Sequence, residues 1–215
     1  MLKLGVLVSG SGTNLQAIID RINDGYLDKC TIEAVISSRS DAFALERAKK
    51  HNIPAYVVKK SDFADKEAYS EKIIQILKQH GVDLIVLAGF LSMLGENIVR
   101  EYHNRIINVH PSLIPAFSGK GCYGIIPHQK AIEYGVKITG ATVHFVDSEY
   151  DTGPIILQKA VNVHSDDTPE SLQKRVMQEA EWNILPEAIK LISEGRVRVE
   201  GRKVHIELFL PEKQN

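Results

Sequence analysis

Disulfide frameworks, membrane spans and one-sided charge are all missing from this 215-residue sequence. Its two cysteines, Cys30 and Cys122, lie far apart and outside any metal-ligand spacing, which excludes a stapled scaffold and fits a cytoplasmic protein with reduced thiols. No apolar run approaches the ~20 residues of a membrane helix, so no membrane partner is expected. With 26 basic against 27 acidic side chains there is no electrostatic footprint for nucleic acid. Repeats, low-complexity tracts and linkers are absent too. The apolar start runs straight into a glycine-rich turn, which marks a first buried strand rather than a signal segment. What remains, 44% hydrophobic and 25% charged, is the composition of a single globular domain over residues 1–215.

The first hundred residues alternate in period. Strand-like runs at 2–8, 32–36, 55–58, 83–88 and 105–109 are separated by helical patterns at 14–23, 42–51, 65–79 and 96–102. Such alternation predicts right-handed crossovers and an α/β fold with a mostly parallel sheet covered on both faces. After residue 110 the rhythm changes to a Gly/Pro-rich loop at 111–127 and a helix near 128–134. Two strands at 139–146 and 154–163 follow, expected as an antiparallel hairpin. Thr168-Pro-Glu-Ser then opens a long helix with Thr168 as N-cap, and the tail reads as a terminal hairpin.

The most informative residues close the fifth strand. Asn108 and His110 are two apart, so a strand aims an amide donor and an imidazole from one face at its carboxyl end. Asp151 stands at a turn before another strand, within possible reach of the imidazole; the plainer reading is a turn residue before Gly-Pro. Amide, imidazole and carboxylate without a nucleophilic Ser or Cys point to direct transfer, with an oxyanion stabilised and protons managed. His144 receives a supporting role at best.

Ser9-Gly-Ser-Gly12-Thr13-Asn14 joins the first strand to the first helix, where free N–H groups and the helix dipole favour phosphate. A dinucleotide site is disfavoured, because Leu15 occupies the third glycine position and the second strand ends Ser37-Ser-Arg39-Ser without an acidic residue. Leu91, Met93 and Leu94, after the fourth strand, fit core packing and a slot for a flat heterocycle equally well. Gln178 and Glu181 are i, i+3 and expected on one helix face, solvated by default.

Taken together, Ser-Gly-x-Gly-Thr-Asn-Leu-Gln, Leu-Ala-Gly-Phe-Leu, Asn-Val-His-Pro-Ser-Leu-Ile-Pro, Gly-x-Thr-Val-His-Phe-Val and Asp-x-Gly-Pro-Ile-Ile resemble the formyltransferase family, from residue 3 to about 190. The first loop and the chain length point to its glycinamide ribonucleotide branch. The resemblance implies a Rossmann-like formyltransferase fold with antiparallel strands in the C-terminal half. It also implies 10-formyltetrahydrofolate as formyl donor, glycinamide ribonucleotide as acceptor in purine biosynthesis, no metal, and a monomer or homodimer. By motif, Asn108, His110 and Asp151 match the catalytic trio. Gly12, Thr13, Asn14, Lys66, Gln178 and Glu181 match ribonucleotide positions; Leu91, Ser92, Met93, Leu94, Val146, Asp147 and again Asp151 match the folate site. Residues 1–110 are thereby expected to form the phosphate-binding half and 111–215 the folate-binding and catalytic half. Two departures stand out: Ser92 replaces the arginine of some members, and the 117–127 loop is long, which bears on lid closure.

The implied mechanism has the amine attacking the formyl carbon while Asn108 and a protonated His110 stabilise the oxyanion, each donor worth ~3–4 kcal/mol of barrier. Asp151 would hold the imidazolium and assist the proton towards the departing folate nitrogen. Rival readings are a tRNA formyltransferase, expected to carry a further RNA-binding domain, and a deformylase, expected to carry a further N-terminal domain. A nicotinamide-dependent oxidoreductase and a non-catalytic nucleotide-binding module lie outside formyl chemistry.

Overall fold

The computed structural model describes residues 1–207; the last eight residues of the expected 1–215 domain lie outside it. Seven strands form one sheet in the order β3-β2-β1-β4-β5-β6-β7. The strands are β1 Leu2–Val8, β2 Cys30–Ser37, β3 Ala55–Val57, β4 Leu84–Leu87, β5 Ile106–His110, β6 Ile138–Phe145 and β7 Ile155–Asn162. The first five are parallel, whereas β6 runs antiparallel to β5 and β7 antiparallel to β6. Thus the α/β sheet with an antiparallel C-terminal hairpin is present as the alternation predicts.

Alternation along the strands divides the interior into two layers. Leu4, Val6 and Val8 of β1 face one cluster with Leu84, Val86, Ile107 and Val109; α1 (Thr13–Asn23) and α7 (Trp182–Ser193) cover it. Leu7, Ile85 and Ile106 face the other, covered by α3 (Lys66–Gln79) and α4 (Glu96–Glu101). Burial on both faces explains why these strands are continuously apolar. At Gly5 a Cβ would lie 2.5 Å from Leu77 Cδ2, so glycine lets α3 pack directly on β1. Helices α2 (Phe43–Lys50), α5 (Ile126–Tyr134) and α6 (Pro169–Val176) complete the shell, and β8 (Val197–Glu200) pairs with β9 (Lys203–Ile206) as the tail hairpin. Among the described residues no helix is long and apolar enough to cross a membrane.

The sheet order reverses between β1 and β4, and a crevice outside the carboxyl ends of strands is where such a sheet takes ligands. Asn108 sits one strand further on, in register with Leu87 of β4 on one side and His144 of β6 on the other.

Candidate active site

Between α6 and α7 the helix carries a π segment, Met177–Glu181. With about 4.4 residues per turn instead of 3.6, it turns Gln173, Met177 and Glu181 towards the crevice. The expectation that Gln178 shares a face with Glu181 is corrected by this geometry. Gln178 is exposed and lines a separate depression behind Thr13, with Gln16, Arg47 and Trp182. Lys66 is also away from the cleft: it begins α3 beside Gly95, near Glu67 at 3.7 Å. A basic residue opening that helix lies on the side of the 91–95 loop, not of the Gly12 turn.

The cleft itself encloses about 590 Å³ and runs from Gly12, Thr13 and Asn14 to Asn108, His110 and Asp151. At its first end Gly12 is the N-cap of α1 with φ 72°, a left-handed conformation that costs glycine little. A Cβ there would come within 2.8 Å of the Ala44 backbone, so the turn is pinned against α2. The N–H groups of the first helical turn are thereby presented to the cleft.

Glu181 is buried in the cleft wall and accepts from Asn14 Nδ2 at 2.7 Å; Asn14 Oδ1 has no described partner. Burial pushes its carboxyl up to about 7 against the Asn14 hydrogen bond. Across the cleft, His128 of α5 is fully buried with both ring nitrogens unpartnered, and burial together with neighbouring His110 pulls it down to about 4.

These two groups act oppositely on stability. His128 contributes stability that is fully present above its unfolded value of 6.5 and lost as pH falls through 4. Glu181 contributes stability that is fully present below 4.5 and lost as pH rises through 7. Between 4.5 and 6.5 the two slopes offset. Glu181→Gln should expose the histidine slope, with unfolding free energy falling by roughly 3 kcal/mol between pH 6.5 and 4. Denaturant titrations across that range check this; a flat profile in the variant contradicts it.

At the other end the three expected groups meet. His110 Nδ1 is 3.5 Å from Asp151 Oδ2, and the Phe117 carbonyl lies 3.0 Å from Nε2. Asp151 gets there because of its turn. It has φ 55°, and at Gly153 a Cβ would lie 1.8 Å from the Phe145 carbonyl oxygen, so only glycine lets the turn lie flat against the end of β6. The carboxylate accepts from Gly119 N at 2.9 Å and lies 3.6 Å from His144 Nε2. Burial works to raise its pKa, but His144 and His110, where they carry a proton towards the carboxylate, and the Gly119 N–H outweigh it, and Asp151 stays below its usual value.

His144 does more than the sequence suggested. As the cross-strand neighbour of Asn108 it shares that residue's face, and its Nε2 lies 3.2 Å from Asn108 Nδ2. Its Nδ1 faces the Phe145 carbonyl at 2.7 Å, which assigns the hydrogen to Nδ1 in the neutral ring and leaves Nε2 to accept from the amide. The pairing thereby orients Asn108.

The expected protonated His110 meets an opposing effect. Asp151 and the Phe117 carbonyl favour an imidazolium at His110, but burial dominates and lowers its pKa below the ordinary 6.5. Burial thus favours the neutral ring. A carbonyl can only accept, so Nε2 carries the hydrogen and Nδ1, facing Asp151, is the nitrogen left to exchange a proton.

Beside this centre a smaller slot of about 110 Å³ shares Asn108 and Asp151 with the cleft. Leu91, Ser92, Met93, Leu94, Val146 and Asp147 all line it, so the apolar loop after β4 serves the slot, with Leu94 also in the core. Leu91 and Tyr150 form an exposed apolar rim. Slot and cleft each draw on both halves of the chain.

A profile described as formyl transferase matches residues 2–189. The chain belongs to the formyl transferase family. Among curated proteins, the phosphoribosylglycinamide formyltransferase of Haemophilus influenzae is 39% identical over 207 residues, covering 96% of this chain and 94% of its own. Among solved structures, glycinamide ribonucleotide transformylase 1 from Symbiobacterium toebii superposes with a TM-score of 0.90 at 44% identity, covering 96% and 94%. A formyltetrahydrofolate deformylase from Pseudomonas syringae superposes at 0.85 with 30% identity, covering 95% of this chain and 65% of that one. This formyl transferase thus shares its architecture with relatives that pass the formyl group on and with one named for removing it. His128, Met177 and Gln173, which line the cleft, had no spacing signal in the sequence, and His144 gains its partner only through the register of β6 on β5.

Proposed function

We propose that the chain transfers the formyl group of 10-formyltetrahydrofolate to the amine of glycinamide ribonucleotide, giving formylglycinamide ribonucleotide and tetrahydrofolate in purine biosynthesis. The observation that carries this reading is the meeting of Asn108, His110 and Asp151 between an anion-binding helix start and an apolar slot. The ribonucleotide phosphate lies on the Gly12–Asn14 turn and its sugar hydroxyls on Glu181, which needs donors in its dry wall. The donor's heterocycle enters the slot between the 91–94 loop and Val146–Asp147.

In the reaction the amine lone pair attacks the formyl carbon and the carbonyl π electrons move to oxygen. Asn108 Nδ2 donates to that oxyanion, its amide held by His144. Neutral His110 takes the proton the attacking nitrogen must lose, at Nδ1, and the Asp151 carboxylate stabilises the resulting imidazolium. As the C–N10 bond breaks, the same Nδ1 returns the proton to the folate nitrogen, so no proton is gained or lost overall.

Hydrolysis is the second reading, favoured by the deformylase superposition. Incubating the protein with the donor, with and without glycinamide ribonucleotide, separates the two. Transfer predicts donor consumption only when the amine is present; equal consumption without it establishes hydrolysis.

A further inference from the structure

Asn108 and His110 each have a partner opposite them on β6: His144 for the amide and Thr142 for the imidazole. Thr142 is fully buried, and every bonding direction of its hydroxyl is used. It donates to the Ser112 carbonyl at 2.7 Å and accepts from Ile114 N at 3.1 Å and from Gln158 Nε2 at 3.0 Å. The Gln158 amide also donates to the Ile114 carbonyl at 3.0 Å. Residues 112–114 are thereby tied to β6 and β7. The buried Ser112 hydroxyl carries the tie onward, donating to the Ala116 carbonyl at 2.6 Å with the Phe117 carbonyl 3.4 Å away. At Phe117 the backbone is left-handed, φ 51°, a conformation that a bulky residue keeps only when its surroundings hold it there. Its carbonyl faces His110 Nε2 at 3.0 Å.

We propose that Thr142 and Ser112 are positioning residues for His110: by holding the Phe117 carbonyl on Nε2 they keep a hydrogen on that nitrogen and leave Nδ1 free for the proton that moves in the reaction. The inference rests on the role given to His110 in formyl transfer above. Two acceptors compete for the one hydrogen of a neutral imidazole. Asp151 Oδ2 stands 3.5 Å from Nδ1, and the Phe117 carbonyl 3.0 Å from Nε2. Were that carbonyl to swing away, the carboxylate would draw the hydrogen to Nδ1. The ring would then have no lone pair there to take up a proton. The titratable groups facing the ring are Asp151 of the turn before β7, His144 of β6 and His128 of α5. All three are retained in variants of Thr142 or Ser112.

The test compares Thr142→Val, which keeps the shape and loses the hydroxyl, with Thr142→Ser, which keeps the hydroxyl, and with Ser112→Ala. Long-range proton–nitrogen NMR of histidine-labelled protein reads the tautomer without turnover, the His110 signals being assigned by their loss in His110→Gln. The parent and Thr142→Ser should carry the hydrogen on Nε2; Thr142→Val and Ser112→Ala should show it moved, in part or wholly, to Nδ1. Those two variants should also lose about ten- to hundredfold in kcat, up to the lower end of a general base's contribution, with both KM values within about twofold. Because the Phe117 carbonyl helps the ring hold a second proton, the acid limb of their kcat profile should move to lower pH, while Thr142→Ser keeps the parent profile. A loss of activity and Tm with tautomer and acid limb unmoved would mark a merely structural role and overturns the proposal. So does a parent ring with its hydrogen on Nδ1, or a Thr142→Val protein with parent kcat. Should Thr142→Val not fold, Ser112→Ala, in the turn outside the sheet, carries the same readings. Failure of the formyl-transfer reading appears elsewhere, as no amine-dependent donor consumption by the parent, and leaves the tautomer measurement standing.

Discussion

Replacing Asp151 by Asn is expected to lower kcat about 10³- to 10⁴-fold while leaving both KM values within a few-fold. The substitution is clean on structural grounds. Asparagine tolerates the left-handed backbone that Asp151 adopts at φ 55°, and its amide oxygen can still accept from Gly119 N. The turn and the 117–119 loop therefore stay in place. What disappears is the negative charge beside His110 Nδ1. A ring whose burial already disfavours the imidazolium then has nothing to offset the proton it must take up. Steady-state kinetics settle the matter; kcat within tenfold of the parent would remove Asp151 from the chemistry. Should the variant unfold instead, circular dichroism and a changed Tm would reveal it.

Removing the amide has the next largest effect. Asn108→Ala should cost about 10²- to 10³-fold in kcat, the usual loss for one oxyanion donor, with substrate affinities little changed. The same backbone position in β5 keeps its strand partners, so the sheet carries the loss as one missing side chain. Asn108→Asp, equal in size but an acceptor, should do no better than alanine, because it aims like charge at the developing oxyanion. An aspartate variant faster than the alanine one would mean that Asn108 serves packing, not charge.

Much of this was legible in residue patterns because the relevant physics is local. Short apolar runs set between helical patterns located the parallel strands to within a residue or two. The i, i+2 rule brought Asn108 and His110 to one face of β5. Asp151 was legible only as a candidate. Its approach to His110 depends on Gly153 lying against Phe145, a contact between turn and strand that no spacing encodes. His144 was undervalued because its partner belongs to another strand: β6 register, not β6 sequence, sets it opposite Asn108.

The two residues that lie away from the cleft do so for different reasons. Gln178 and Glu181 were paired by α-helical geometry, and a π segment re-phases that turn so that, of the two, Glu181 faces the cleft. Lys66 opens α3 after β3, which places it against Gly95 of the loop after β4 and away from the Gly12 turn. Protonation was the hardest property to anticipate. A carboxylate next to a histidine suggests an imidazolium, and only the burial of His110, invisible in sequence, reverses the balance. In the proposed reaction that balance lets the ring carry a proton instead of standing as a fixed charge.

Direct transfer through this centre is most sharply tested by a single-turnover rapid quench with donor labelled in the formyl carbon and excess protein. The account predicts that label leaves the folate and appears on the ribonucleotide amine with the same rate constant, with no label bound to protein and none released as formate. Label trapped on the protein, or formate formed in place of the formylated amine, would contradict it.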